Sequence, residues 1–266
     1  MSEVRHSTNP GGRSLRELIG VGKGDLVSLV GGGGKTTCLF RLAGELAAAG
    51  IAVAATTTTK IMAPTNQAGV RLICGDSYAA LCLALGSPTG RVPVLGRGVL
   101  PNGKLEGIDP EWCDRLLGDG AVETLLVEAD GARRKPLKAP GSREPVVPDR
   151  TTVFVALVGL SCIGKPLDDS EAFRAERIAA VAGQALGTPI TVETVARLLL
   201  SEDGLLRGRP PAARTVAFLN QADIPGARVA GEAVAGRIVT GATPFDRVIL
   251  GSLQDAQPAL GIWERA

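Results

Sequence analysis

Leu26-Val27-Ser28-Leu29-Val30 runs directly into Gly31-Gly32-Gly33-Gly34-Lys35-Thr36-Thr37, and the fold is read outward from this junction. The residues before the glycines form the kind of apolar run found in strands buried on both faces. After the glycines, Leu39, Leu42, Ala43 and Leu46 recur at helical spacing, and Gly50 supplies a C-terminal stop. Residues 51–55 read as the next strand. Right-handed crossovers place the two strands of such a unit in one parallel sheet.

The junction also carries chemistry. Glycines lack Cβ atoms, so a glycine turn can wrap an oxyanion and aim successive N–H groups at it. The following helix N-terminus adds unpaired N–H donors and a partial positive charge. Lys35 supplies a full charge for β- and γ-phosphates, and Thr36 a hydroxyl for Mg2+. Gly31, Gly32, Gly33, Gly34, Lys35, Thr36 and Thr37 are therefore the expected contacts of a nucleoside triphosphate, ATP or GTP. The common spacing G-x-x-x-x-G-K-[ST] would need glycine at Leu29. The compact G-x-x-G-K-[ST] form fits instead, and it resembles the loop of Mur-type ligases. The bland alternative is a flexible turn with an incidental Lys-Thr-Thr; four glycines set between strand and helix weigh against it.

Further along, Ser14 and Glu17 form a capping-box signal for a helix starting at Leu15. Turn residues at Gly96, Gly98 and Asn102-Gly103 predict a β-hairpin insertion over about 90–108. Asp109-Pro110-Glu111 is a helix start. Residues 124–127 and 152–158 read as buried strands, and the Pro-rich, charged stretch 133–149 as a long loop. Helical patterns near 172–186 and 192–200 suggest a helical insertion over about 160–212. Strands near 215–219 and 248–250 flank a helix near 229–239. The expected fold is a P-loop NTPase-like, doubly wound, mostly parallel α/β sheet over 15–266, preceded by a disordered tail over 1–14.

Composition narrows the functions. Aromatics make up 3% of the chain, so the core is aliphatic, as in helix-covered parallel sheets. A net charge of +2 gives no global field for nucleic acid or anionic membrane. The five cysteines (Cys38, Cys74, Cys82, Cys113, Cys162) are dispersed with no C-x-x-C, which fits a reducing compartment and no zinc knuckle. The single histidine is His6, in the polar tail, so imidazole catalysis is not expected. The polar start MSEVRHSTNPGGRS lacks an apolar signal core, and the reading is a soluble, cytoplasmic protein.

Three more segments are candidates. Leu125-Leu126-Val127-Glu128-Ala129-Asp130-Gly131 puts carboxylates at a strand end, where such sites hold Mg2+ or orient water. Its Glu-x-x-Gly arrangement resembles the strand end of SIMIBI-type metallochaperones; which of Glu128 and Asp130 faces the metal stays open. Thr58 and Lys60 in Thr56-Thr57-Thr58-Thr59-Lys60, and Arg133 and Arg134 in Arg133-Arg134-Lys135-Pro136-Leu137-Lys138, are candidate contacts for substrate or phosphate. Both also read as plain strand or solvated charge. Asn220-Gln221-Ala222-Asp223 resembles the N-K-x-D guanine reader of GTPases, with Gln221 in place of lysine. Asn220 and Asp223 equally serve as a strand end and helix cap.

Together these segments resemble the YqeC family, described as accessory proteins of selenium-dependent molybdenum hydroxylases. The resemblance rests on the glycine loop, 56–60, VEADGARRKPLKAP at 127–140, Val158-Gly159-Leu160-Ser161, Gly164-Lys165-Pro166-Leu167 and 220–223. Ala132, Arg134-Lys135 and Gln221 depart from the family pattern. The resemblance implies a maturation factor that hydrolyses GTP or ATP with Mg2+, partnered with the hydroxylase or its cofactor-maturation proteins. Lys35, Glu128 and Asp130 are the expected catalytic groups, and Thr36 and Glu128 the metal contacts. An ATP-dependent small-molecule kinase or ligase, and a non-catalytic nucleotide-binding module, are the alternatives.

Overall fold

The computed structural model describes residues 4–8, 10–65, 67–86 and 89–265. β1 (Val4–Thr8) and α1 (Leu15–Ile19) precede the glycine junction, which joins β2 (Leu26–Gly31) to α2 (Lys35–Ala48). β3 (Val53–Thr57), β4 (Lys60–Met62), β5 (Val70–Cys74), α3 (Tyr78–Leu85), β6 (Val92–Gly96), β7 (Gly98–Val99) and β8 (Lys104–Glu106) follow. α4 (Pro110–Gly118) leads to β9 (Thr124–Glu128), β10 (Leu137–Lys138) and β11 (Val153–Gly159). Then come β12 (Ala172–Phe173), α5 (Ala175–Ala182), α6 (Val192–Leu200) and β13 (Arg214–Asn220). α7 (Ala227–Val239), β14 (Arg247–Gly251) and β15 (Ala259–Arg265) complete the chain.

Ten strands form one sheet in the order β1-β15-β14-β13-β11-β2-β9-β3-β6-β5. Every neighbouring pair from β14 to β5 is parallel, while β15 and β1 add antiparallel pairs at one edge. The class is α/β with a large, mostly parallel sheet. Side chains alternate between two cores. Val27, Leu29, Val155 and Leu157 join α1 and α2 on one face. Leu26, Val30, Phe154 and Val158 join residues of α3 to α7 on the other. Burial on both faces explains why these strands read as continuous apolar runs. Their one interior hydroxyl, Ser28 Oγ, lies 2.8 Å from Thr151 Oγ1, which satisfies it. Among the described residues, no helix is long and apolar enough to cross a membrane.

The α1 capping box forms as expected: Ser14 accepts from the Glu17 amide, and Glu17 reaches back to the Ser14 amide. Two expectations are corrected. Residues 4–8 of the expected disordered tail form β1, paired with β15, with His6 stacked on Trp263 at 4.3 Å. A polar edge strand needs only backbone pairing, which hydropathy does not reveal. The hairpin expected over about 90–108 is divided. β6 is an interior parallel strand between β3 and the edge strand β5, and it buries Val92, Val94 and Leu95. Only β7 and β8 form the hairpin, extended by β4 into a small antiparallel sheet.

Candidate functional site

The parallel strands bring their carboxyl ends to one edge, where ligands of open α/β sheets bind. In register, Gly31 lies beside Leu157, Glu128 beside Leu29 and Thr57, and Gly159 beside Asn220. The glycine loop is packed against this edge. Gly31 has φ 94° and Gly33 φ 69°. A Cβ on Gly31 would sit 2.2 Å from Leu157 O, and one on Gly33 2.2 Å from Gly159 N. Three loop amides are used internally: Gly31 N donates to Asp130 Oδ2 (3.1 Å), Gly32 N to Leu157 O (2.9 Å) and Gly33 N to Lys135 O (3.0 Å). Asn220 clamps the loop from the other side. Its Nδ2 donates to Gly33 O at 2.6 Å, and its Oδ1 accepts from Leu253 N at 2.9 Å.

The next four amides, of Gly34, Lys35, Thr36 and Thr37, find no protein acceptor among the described residues. They are the orphan donors of a helix N-terminus without a side-chain cap. The same four residues line a cleft of about 1140 Å³. A rigid loop with free donors opening on a polar cleft is suited to hold an anion.

Lys35 is 2% exposed at its side chain, and its ammonium is held by the protein. Nζ donates to Gly31 O at 2.6 Å and lies 3.1 Å from Asp130 Oδ1 and 3.8 Å from Glu128 Oε1. Burial alone would lower its pKa, but the two carboxylates outweigh burial and raise it. Glu128 shows the opposite balance. Burial pushes its carboxyl up, more than the Lys35 ammonium and the Thr36 hydroxyl bring it down. Thr36 Oγ1 donates to Glu128 Oε2 at 2.9 Å.

The two carboxylates, equivalent in sequence, are separated by this geometry. Glu128 lines the cleft beside Thr36. Asp130 is 1% exposed and turned into the protein, between the Gly31 amide, Lys35 and Lys138. Lys138, whose side chain is fully buried, lies 2.9 Å from Asp130 Oδ2 and donates to Gly131 O (2.7 Å) and Glu144 Oε2 (2.9 Å). Arg174 donates to the same Glu144 oxygen at 2.7 Å. Burial by itself would push Glu144 up, but Arg174 and Lys138 together bring it down to about 2. A chain of alternating charges thus runs Lys35, Asp130, Lys138, Glu144, Arg174.

The donor set at the cleft suits Mg2+. A threonine hydroxyl beside a carboxylate offers hard oxygens, and Mg2+ characteristically takes one or two carboxylates, waters and phosphate oxygens. Among the described residues, no cluster of three or more His, Cys, Asp or Glu is placed to hold a metal by itself. A cation here would take its remaining oxygens from water or a ligand.

Four of the remaining candidates line the cleft, and Asp223 does not. Thr58 lines the cleft while its hydroxyl donates to Val146 O at 2.6 Å, and Thr57 Oγ1 donates to Glu128 O at 2.7 Å. Lys60, exposed, lies 3.9 Å from Glu106 at the cleft wall. Arg133 and Arg134 line the cleft, exposed and in left-handed conformation. Asp223 is exposed and outside the cleft lining, whereas Gln221, with φ 69°, is part of it. Sequence reading did not single out Glu144, Phe173, Arg174, Arg97 or Lys104, all of which line the cleft. The charged loop over 133–149 hinted at Glu144; the partnership of Arg174 with a residue thirty positions away has no local signal.

A sequence model described as YqeC protein matches residues 27–176, more than half of the chain. The chain belongs to the YqeC family. The Uncharacterized protein YqeC of Escherichia coli (strain K12) is 31% identical over 196 residues, which cover 74% of this chain and 75% of that protein. In this YqeC-family chain the matched span holds the glycine loop, Glu128 and the whole charge chain to Arg174, and ends before Asn220.

Proposed function

We propose that this YqeC-family protein binds a nucleoside triphosphate with Mg2+ at the glycine loop and hydrolyses it slowly as a P-loop type NTPase. The observation that carries the reading is that four unpaired amides and the Thr36–Glu128 oxygen pair line one cleft, with the buried Lys35 ammonium 3.8 Å behind Glu128. The Gly34 to Thr37 amides would bind phosphate oxygens, and Lys35 would exchange the Gly31 carbonyl for a β- or γ-phosphate oxygen. Thr36 and Glu128 would hold Mg2+, which supplies charge neutralisation for phosphoryl transfer. Glu128 would also orient the attacking water. Asp130 acts behind them, positioning Lys35 and the Gly31 amide. The placement of β9 directly beside β2 supports this, since it brings the carboxylate and the loop to adjacent strand ends.

The role we assign to this turnover is accessory: maturation of a selenium-dependent molybdenum hydroxylase, with the hydroxylase or its maturation proteins as partners. That assignment is supported by family membership alone. The first test is calorimetric binding of ATP, GTP, CTP and their diphosphates, with and without Mg2+. Lys35→Ala is expected to lose triphosphate affinity with its circular dichroism unchanged, and Glu128→Gln to lose the Mg2+ dependence. Absence of binding by all three triphosphates, or equal binding by Lys35→Ala, refutes the reading.

A further inference from the structure

The cleft is larger and more cationic than one triphosphate tail requires. Its volume of about 1140 Å³ exceeds the range of about 300–1,000 Å³ that encloses a single small ligand. Away from the glycine loop its lining includes Lys60, Arg97, Lys104, Arg133, Arg134 and Arg174. Three of these are already neutralised: Lys60 faces Glu106, Arg97 pairs with Asp109, and Arg174 with Glu144. Lys104, Arg133 and Arg134 make no ion pair among the described residues, although carboxylates line the same cleft.

The backbone around these cations is specialised too. Arg133 (φ 48°) and Arg134 (φ 62°) are consecutive non-glycine residues in the left-handed region, and Arg174 is a third, at φ 64°. Such conformations are costly and collect at ligand clamps. Phe173 gathers the guanidinium groups. The Arg133 guanidinium lies 4.9 Å from its ring centre and that of Arg174 4.4 Å, which limits the freedom of two flexible side chains.

We propose that the part of the cleft lined by Arg133 and Arg134 is a second binding site, which takes a phosphorylated small molecule alongside the nucleotide. Two adjacent guanidinium forks without protein counter-ions among the described residues match a dianionic phosphate with three terminal oxygens. The proposal rests on the triphosphate reading of the glycine loop, and it names the class of molecule held beside the nucleotide. The strained backbone fits this role because it turns two adjacent arginines to the cleft where an extended loop would alternate them.

The test is calorimetry of the full chain saturated with a non-hydrolysable ATP analogue and Mg2+. Ribose 5-phosphate is titrated in, with ribose and citrate as parallel arms. Ribose 5-phosphate is expected to bind without displacing the analogue, ribose not to bind, and citrate to bind more weakly. Arg133→Gly/Arg134→Gly keeps the left-handed backbone, which glycine favours, and removes both side chains. It is expected to weaken ribose 5-phosphate by at least about tenfold, and to weaken it more than the analogue. Displacement of the analogue, failure of ribose 5-phosphate to bind up to millimolar concentration, or equal binding by the double variant overturns the proposal. Citrate binding more tightly than ribose 5-phosphate overturns the phosphate assignment. If the analogue itself does not bind while ribose 5-phosphate still depends on the two arginines, the triphosphate reading fails and the second site stands.

Discussion

Asp130→Asn is the most informative single perturbation of the buried charge chain. Lys35, Lys138 and Arg174 are balanced by Glu128, Asp130 and Glu144, so the set is neutral as built. The substituted carboxamide would retain an oxygen for the Gly31 amide but leave one excess positive charge on two buried ammonium groups. The two separations, 3.1 Å to Lys35 and 2.9 Å to Lys138, each correspond to about 5 kcal/mol of attraction at an effective dielectric of about 20. Desolvation offsets much of this, and removing one partner of a buried pair costs about 3–5 kcal/mol net. With an m-value near 3 kcal/mol per M, the urea midpoint should fall by about 1 M or more. Adding Lys138→Met restores neutrality and should recover part of the loss. Urea titrations of wild type, both single variants and the double variant measure the coupling directly. A loss below about 1 kcal/mol for Asp130→Asn, or a double variant less stable than the sum of the singles, would refute the counter-charge argument.

Other consequences can be measured separately. Glu144 ionises at about 2 against an ordinary value of 4.5, so its contribution is complete above pH 4.5 and disappears as pH falls towards 2. Urea midpoints across that window should converge between wild type and Glu144→Gln, and parallel curves would contradict the assignment. Gly31→Ala meets Leu157 O at 2.2 Å in a left-handed backbone and should cost more than about 3 kcal/mol. Gly44→Ala, in α2 with open space around it, should stabilise by about 0.5–1 kcal/mol in the same urea assay.

The elements legible in the sequence were those whose signal is local. The β2–loop–α2 unit, the α1 capping box, α6 and β13 each announce themselves within a dozen residues, through periodicity, caps or glycines. The antiparallel strands at one side of the sheet were not legible. β1, almost entirely exposed, pairs with β15 across the length of the chain, and β15 lies between β1 and β14. β6 was misplaced because turn residues at 96–98 suggested a hairpin, while its actual partners, β3 and β5, lie elsewhere in the sequence.

At the site, the sequence by itself settled which residues form the glycine turn and that carboxylates end a nearby strand. Both follow from the conformational freedom of glycine and the periodicity of a buried strand, properties fixed over a few residues. Only the tertiary structure separated Glu128 from Asp130, enlisted Lys138, Glu144 and Arg174, and left Lys104, Arg133 and Arg134 without counter-ions among the described residues. The reason is that charge pairing depends on distance in space and on exclusion of water. Two carboxylates two positions apart acquire different surroundings only when the strands and loops around them have closed.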